Sequence, residues 1–282
     1  MTTTLTATGA TAAPIRHHRV PGTYNLRDAG GYAAAHGQLR WGKLFRSDGL
    51  HRLSDDGREA VRALGIGLVV DLRDVTELER EPSRLEGVGA QTVHAPIFEG
   101  AAPDALVTES VTLAAIYDTI IDSYGANVVR AVRLIAGSGD TPVLVHCTAG
   151  KDRTGLVIAL AQLAAGVART DVVADYAATE ANLRGEWLEY TRGRMAAHGV
   201  PDSDALQTIM GASPAELLEA LLDRIDREHG SATAYLQANG LSTAELGELR
   251  LALIGGEPVA TDTASSNTAS TDTASTDKEN AA

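Results

Sequence analysis

The sequence predicts an α/β fold in which a central, mainly parallel sheet is flanked by helices and followed by a helical C-terminal region. Three observations carry this expectation. Short apolar runs alternate with segments of helical spacing from Ser54 to His146, strand signals then stop while helix-capping signals continue, and a loop of small residues follows the last apolar run. In order, Ser54 to Leu64 reads as a helix capped by Ser54, Ile66 to Leu72 as a buried strand, Val75 to Leu85 as a charged helix, and Gln91 to Ile97 as another strand. Helical stretches at Ser110 to Tyr124 and Ala126 to Ala136 precede a short buried strand, Pro142 to His146, and Thr154 to Leu160 begins a packed helix. Trp187 to Met195 is helical in pattern without a legible buried face. Ser213-Pro214-Ala215-Glu216 predicts a serine cap, proline at the first helical position and a glutamate completing a capping box, and Ser242-Thr243-Ala244-Glu245 repeats the box without proline. Leu217, Leu218, Leu221, Leu222 and Ile225, then Leu246, Leu249 and Leu253, follow at helical spacings and are expected in the core.

The 282 residues divide into a Thr/Ala-rich tail over 1–14, a single domain over 15–255 that is helical from 168 onward, and a Thr/Ser/Asp/Ala-rich tail over 256–282. Both tails have too little apolar surface to offset the entropy of ordering them and are expected to be disordered. With 37 acidic against 24 basic residues, the net charge of −13 argues against wrapping nucleic acid or lying broadly on an anionic membrane. The N terminus lacks the charged and apolar regions of a secretory signal, and the best apolar run, Leu156 to Ala165, is interrupted by Gln162 and far short of the ~20 residues a bilayer needs. A cytoplasmic protein without integral membrane association is expected. The single cysteine allows no internal disulfide, which suits a reducing compartment. None of the eight histidines forms a two-histidine helical pattern, so neither a metal nor another cofactor is expected.

The chemistry concentrates in His146-Cys147-Thr148-Ala149-Gly150-Lys151-Asp152-Arg153-Thr154-Gly155, where the only cysteine stands six positions before an arginine between a strand and a helix. Such a loop points its backbone N–H groups, and the positive end of the following helix, into one concavity. Thr148, Ala149, Gly150, Lys151, Asp152 and Arg153 would then cradle a phosphate, with the planar guanidinium of Arg153 binding its oxygens beside the amides. Gly150 can take the positive φ that a tight anion loop needs. The same positive field favours a thiolate at Cys147.

These residues resemble the signature loop of the cysteine-dependent tyrosine phosphatases, His-Cys-x5-Arg-Ser/Thr, in a form close to that of a bacterial tyrosine phosphatase family. Asn25-Leu26-Arg27-Asp28-Ala29-Gly30-Gly31, Leu44-Phe45-Arg46-Ser47, Leu64-Gly65-Ile66, Val70-Asp71-Leu72-Arg73 and Val173-Ala174-Asp175-Tyr176 resemble that family's landmarks in the same order, so the likeness runs from about Tyr24 to about Gly255. It implies a tyrosine-phosphatase-like fold, a loop-supporting hydrogen bond from His146, a lid role for the Trp187 to Met195 helix, and compatibility with export lacking a recognisable signal. Asn25, Arg27 and Asp28 read as a turn held by an ion pair or side-chain hydrogen bonds, with Arg46 in the same network, supporting the site from behind.

The expected activity is phosphomonoester hydrolysis through a Cys147 thiophosphoryl intermediate, with Thr154 placed to hydrogen-bond the departing thiolate. The resemblance favours phosphotyrosine on proteins. Phosphoinositides are a further candidate, because lipid phosphatases carry a similar Ala-Gly-Lys run and Lys151 would set a mobile charge at the pocket rim. A nucleotide or sugar phosphate is the alternative substrate. From other classes, a non-catalytic phosphate-binding module would release no phosphate, and a sulfur-transfer domain would turn over thiosulfate. For the general acid, Asp152 ranks first because it sits inside the loop. Glu99 is second, at a place where the family carries an aspartate, and Asp71 is third and better suited to pairing with Arg73.

Overall fold

The computed structural model describes residues 14–98, 112–197, 199 and 202–255. Glu99, both tails as far as residue 13 and from 256, and the first residues of the expected Ser110 to Tyr124 helix lie outside them. Four parallel strands, β4 (Leu44–Ser47), β5 (Leu68–Asp71), β6 (Gln91–His94) and β7 (Val143–His146), build the central sheet, and the two-residue β1 (Arg27–Asp28) adds an antiparallel edge in the order β1-β4-β7-β5-β6. Strand β7 reads Val-Leu-Val-His because it is covered on both faces, as parallel strands usually are. Leu44, Val70, Val143 and Val145 face the larger core, while their neighbours Phe45, Val69 and Leu144 face a second cluster with Val61 and Ile66.

The first helix, α1 (Asp55–Ala63), is capped by Ser54, whose side chain accepts from Gly57 N. Helix α2 (Val75–Arg80) is shorter than the pattern suggested. Glu81 precedes Pro82 and leaves the helical region at φ −136°, as a residue before proline tends to. Helices α3 (Leu113–Ser123) and α4 (Gly125–Ala136) lead to β7, and α5 (Asp152–Ala164) starts at the end of the loop after it. All of α5 except Asp152 and Leu163 is buried, so this helix is the centre of the molecule.

The rest of the chain is helical, as expected: α6 (Arg169–Leu183), α7 (Glu186–Ala197), α8 (Asp204–Gly211), α9 (Ala215–His229), α10 (Ala232–Ala238) and α11 (Thr243–Leu253). Ser242 and Glu245 form the expected capping box on α11. Ser213 does not cap α9. Pro214 takes the cap position, and the buried Ser213 hydroxyl donates instead to Tyr176 O at 3.0 Å, a partner that local sequence does not reveal. A second small antiparallel sheet of β2 (Ala33–Ala34), β3 (Gly37–Leu39) and β8 (Ile254–Gly255) was not foreseen, because its strands are too short to show a period. Among the described residues, no helix is long and apolar enough to cross a membrane.

Candidate active site

Parallel pairing sets the site. Ser47, Asp71 and His146 end their strands in register, so the segments that follow β4, β5 and β7 leave the sheet at one edge. From there Cys147 to Lys151 form a loop that runs into α5. Gly150 turns it with φ +66°, and a Cβ there would stand 2.3 Å from Ser47 O, so only glycine fits.

The loop carbonyls are drawn outward. Asn25 Nδ2 donates to Ala149 O and Gly150 O, both at 3.1 Å, Arg46 Nη2 donates to Gly150 O at 2.9 Å, and Gly49 N donates to Thr148 O at 2.9 Å. The backbone N–H groups of residues 148 to 154 meet no acceptor among the described residues. Buried N–H groups are rarely left without partners, and a run of such donors at a helix N-terminus is chemically suited to holding an anion.

Two buried arginines hold that arrangement from behind. Arg46 Nη1 meets Asp175 Oδ2 at 2.6 Å and Arg27 Nε meets Asp175 Oδ1 at 3.2 Å, while Arg27 Nη2 donates to Thr179 Oγ1 at 2.9 Å. Burial alone would raise the Asp175 carboxyl, but the two guanidiniums hold it down to about 2. Burial, with Arg46 alongside, lowers Arg27 to about 10. Arg27 also donates to Asn25 Oδ1, fixing the amide that grips the loop. Asp28 holds its turn by side-chain hydrogen bonds, one of the two expected arrangements, and not by an ion pair with Arg27. It stands outside this network and accepts from Gly30 N at 2.7 Å and Gly42 N at 2.6 Å, because its strand neighbour Arg27 finds its ion pair 148 residues away.

Asp48 is buried beneath the same segment, where its Oδ1 accepts from Tyr24 N at 3.0 Å and Asn25 N at 2.9 Å. Burial pushes its carboxyl up to about 6 against the pull of those donors. A raised folded value means its contribution to stability is full below the unfolded value near pH ~4 and is lost as pH rises through about 6. Asp48→Asn keeps the acceptor oxygen and removes the charge. The variant is expected to gain about 1–2 kcal/mol over the parent at pH 8 in denaturant unfolding, and nothing near pH 4. An equal difference at both pH values would contradict this.

His146 and Asp71 are fully buried, with His146 Nε2 at 3.4 Å from Asp71 Oδ2 and His146 Nδ1 at 3.2 Å from Cys147 O. Arg73 binds Asp71 through Nε at 2.9 Å and Nη2 at 2.6 Å. Burial would raise Asp71, but His146 and Arg73 outweigh it and hold the carboxyl well below the usual range. Asp71 is therefore a buried ion-pair partner, out of reach of a proton acceptor in the pocket.

Cys147 is 2% exposed and lies at a cavity of about 150 Å³ lined also by Thr148, Ala149, Asp152, Arg153 and Glu77. Glu77 was not anticipated. Its carboxylate takes Arg153 Nη1 at 2.6 Å and Nη2 at 2.9 Å, and accepts from the Thr148 hydroxyl. Burial would raise Glu77, yet Arg153 holds it down to about 2, and Arg153 is raised in turn, burial being outweighed by Glu77 and the Cys147 sulfur. Glu77 uses two of the five guanidinium N–H donors, which leaves three for an oxyanion and fixes the plane of the fork. The signal for it was present: Asp74-Val75-Thr76-Glu77 is a capping box just after the Asp71 strand, and the box forms.

Lys151 is not a rim cation. Its side chain is buried, its Nζ donates to Ile209 O at 2.5 Å in the last turn of α8 and lies 3.4 Å from Asp152 Oδ1, and it does not line the cavity. The C-terminal carbonyls of α8 attract an ammonium, and that attraction turns the side chain away from the pocket. Asp152 does line the cavity, with a side chain 25% exposed. The Thr154 hydroxyl is buried and finds no hydrogen-bond partner among the described residues, an unusual state for such a group. Helices α7 and α8 close one wall with Trp187, Tyr190, Met195 and Met210. Arg194 ties α7 to Glu81 at 2.8 Å, and Arg52 stacks on Tyr190 at 4.2 Å. The Trp187 face of α7 thus turns toward the site.

The chain is similar to known proteins over most of its length. The chain is 33% identical over 277 residues to the triple specificity protein phosphatase PtpB of Mycobacterium tuberculosis, covering 84% of this chain and 98% of that one. It is 30% identical over 225 residues to a tyrosine-protein phosphatase of Nostoc commune, covering 74% of each. Among solved structures, P. aeruginosa TpbA in complex with phosphotyrosine matches at 18% identity and a TM-score of 0.36, covering 66% of this chain and 99% of that one. The model of the tyrosine phosphatase family matches residues 18–255, and with these relatives it places the chain in that family.

Proposed function

We propose that this phosphatase hydrolyses phosphotyrosine in proteins through a covalent phosphocysteine on Cys147. The observation that supports it most is that Cys147 and Arg153 line one cavity with Thr148, Ala149 and Asp152, in a loop whose backbone N–H groups from 148 to 154 meet no acceptor among the described residues. A phosphate seated there has its oxygens held by those amides and by the free edge of Arg153, and its phosphorus facing the sulfur. The thiolate attacks in line with the ester oxygen. The S–P bond forms as the P–O bond breaks, and Asp152 gives its proton to the departing oxygen. In the second step the Asp152 carboxylate takes a proton from water, whose oxygen attacks phosphorus. Sulfur then leaves as thiolate, receiving a hydrogen bond from the otherwise unpartnered Thr154 hydroxyl, and inorganic phosphate is released.

Asp152→Asn tests the acid. A tyrosine leaving group has a conjugate acid near pKa ~10 and needs the proton, whereas a strongly acidic phenol does not. The variant is expected to slow phosphotyrosine hydrolysis by about 10²-fold or more and hydrolysis of the activated aryl phosphate by less than about tenfold. Equal slowing of both would assign Asp152 to binding alone. A second reading, phosphoinositide hydrolysis, draws on the guanidiniums of Arg80 and Arg194 along the cavity wall. It no longer draws on Lys151. Phosphate release measured across phosphopeptides, phosphoinositides and metabolite monophosphates, with vanadate as inhibitor, ranks the substrates. Phosphotyrosine peptides are expected first, and preference for a metabolite monophosphate would overturn the proposal.

A further inference from the structure

The carboxylate of Asp152 has two oxygens, and the structure treats them differently. Tyr117, on α3, places its hydroxyl 2.9 Å from Asp152 Oδ1, and Lys151 Nζ lies 3.4 Å from that same oxygen. No hydrogen bond from the described residues reaches Oδ2. Behind Tyr117 stands Tyr176 of α6, with the two hydroxyl oxygens 2.7 Å apart and the rings edge to face at 6.2 Å. Both tyrosines are 0% exposed, so no solvent competes for these bonds. The Tyr176 ring can come this close because residue 155 of the loop helix is glycine, where a Cβ would stand 3.0 Å from the ring.

We infer that Tyr117, supported by Tyr176, is a positioning residue that reserves Asp152 Oδ2 as the oxygen carrying the transferable proton. An ionised carboxylate only accepts, so the Tyr117 proton points at Oδ1 and the Tyr176 proton must point at the Tyr117 oxygen. The chain of two donors has one direction, and each bond polarises the next. When Asp152 takes up a proton, Oδ1 remains occupied as an acceptor, and the proton goes to Oδ2. Burial, with the nearby carboxylate, raises the Tyr117 hydroxyl well above its ordinary range and Tyr176 to about 12, so both remain donors and neither supplies the leaving group. The ordering fixes the direction from which the proton is delivered, and geometry is the first requirement of a general acid.

The inference rests on Asp152 being the acid, so Asp152→Asn is measured beside Tyr117→Phe. Tyr117→Phe is expected to lower kcat on a phosphotyrosine peptide about tenfold, and on an aryl phosphate with a strongly acidic phenol less than about threefold, with KM little changed. Tyr176→Phe, acting through Tyr117, is expected to give the same split at smaller size. Tyr117→Phe alone strands the buried Tyr176 hydroxyl and costs stability. The double variant Y117F/Y176F removes both hydroxyls together and is expected to keep the leaving-group split of Tyr117→Phe with an unfolding temperature nearer the parent. A merely structural role would slow both substrates alike in all three variants, and that result overturns the inference. A split in Asp152→Asn without one in Tyr117→Phe or the double variant overturns it while leaving the acid in place. Loss of the split in Asp152→Asn itself removes the acid, and the inference with it.

Discussion

Replacing Cys147 by serine is expected to abolish turnover, by on the order of 10⁴-fold or more, while the protein still folds and still binds a phosphotyrosine peptide. Among the described residues that line the cavity, Cys147 is the one we assign as nucleophile, and a serine hydroxyl without an adjacent base is a weak one. The change nearly conserves volume and opens no void, and the residue borders the cavity, so its cost to stability is modest. Binding survives because the oxyanion is held by loop amides and Arg153, none of which the substitution touches. Isothermal titration with a nonhydrolysed phosphopeptide checks the binding half, and phosphate release checks the turnover half. Residual turnover above about one hundredth of the parent rate would leave the nucleophile unidentified.

Arg153→Lys is expected to lower kcat/KM on phosphotyrosine by on the order of 10³-fold despite preserving the charge. The reason is the fork. Arg153 binds the Glu77 carboxylate with two N–H groups and presents the others to the phosphate, a division that a lysine ammonium cannot make. Glu77 would also lose both hydrogen bonds from Arg153 in a largely buried site, so the variant carries a stability cost of about 1–3 kcal/mol in addition to its kinetic one. Steady-state kinetics with denaturant unfolding separates the two. A loss below about tenfold would mean that the amides alone hold the transition state.

What was legible in the sequence is what neighbouring residues determine. The Pro142 strand, the loop from Cys147 to Gly150 and the helix that follows occupy one continuous stretch, and its composition alone specifies a turn, a helix N-terminus and an anion. The caps at Ser54 and Ser242 are local as well. The readings that changed depend on distant partners. Lys151 looks like a mobile rim charge until α8, 58 residues later, offers it the carbonyl of Ile209. Arg27 beside Asp28 leaves an ion pair and side-chain hydrogen bonds equally open, and the choice is made by Asp175, 148 residues away, which takes Arg27. Glu77 reads only as part of a charged helix because nothing local says that α2 starts at the same sheet edge as Cys147. Strand β4 was visible only as a likeness to family landmarks, since Arg46 and Ser47 break its apolar run while being fully buried.

The covalent step is the claim on which the rest depends, and trapping it is the most direct measurement. The enzyme is mixed with excess phosphotyrosine peptide, quenched within a single turnover, and the peptide containing Cys147 is weighed by mass spectrometry. The predicted result is a transient mass increase of one phosphoryl group on that peptide, rising and falling with turnover and absent in Cys147→Ser. Full turnover with every quenched sample unmodified, or the phosphoryl group on a different residue, would contradict the account.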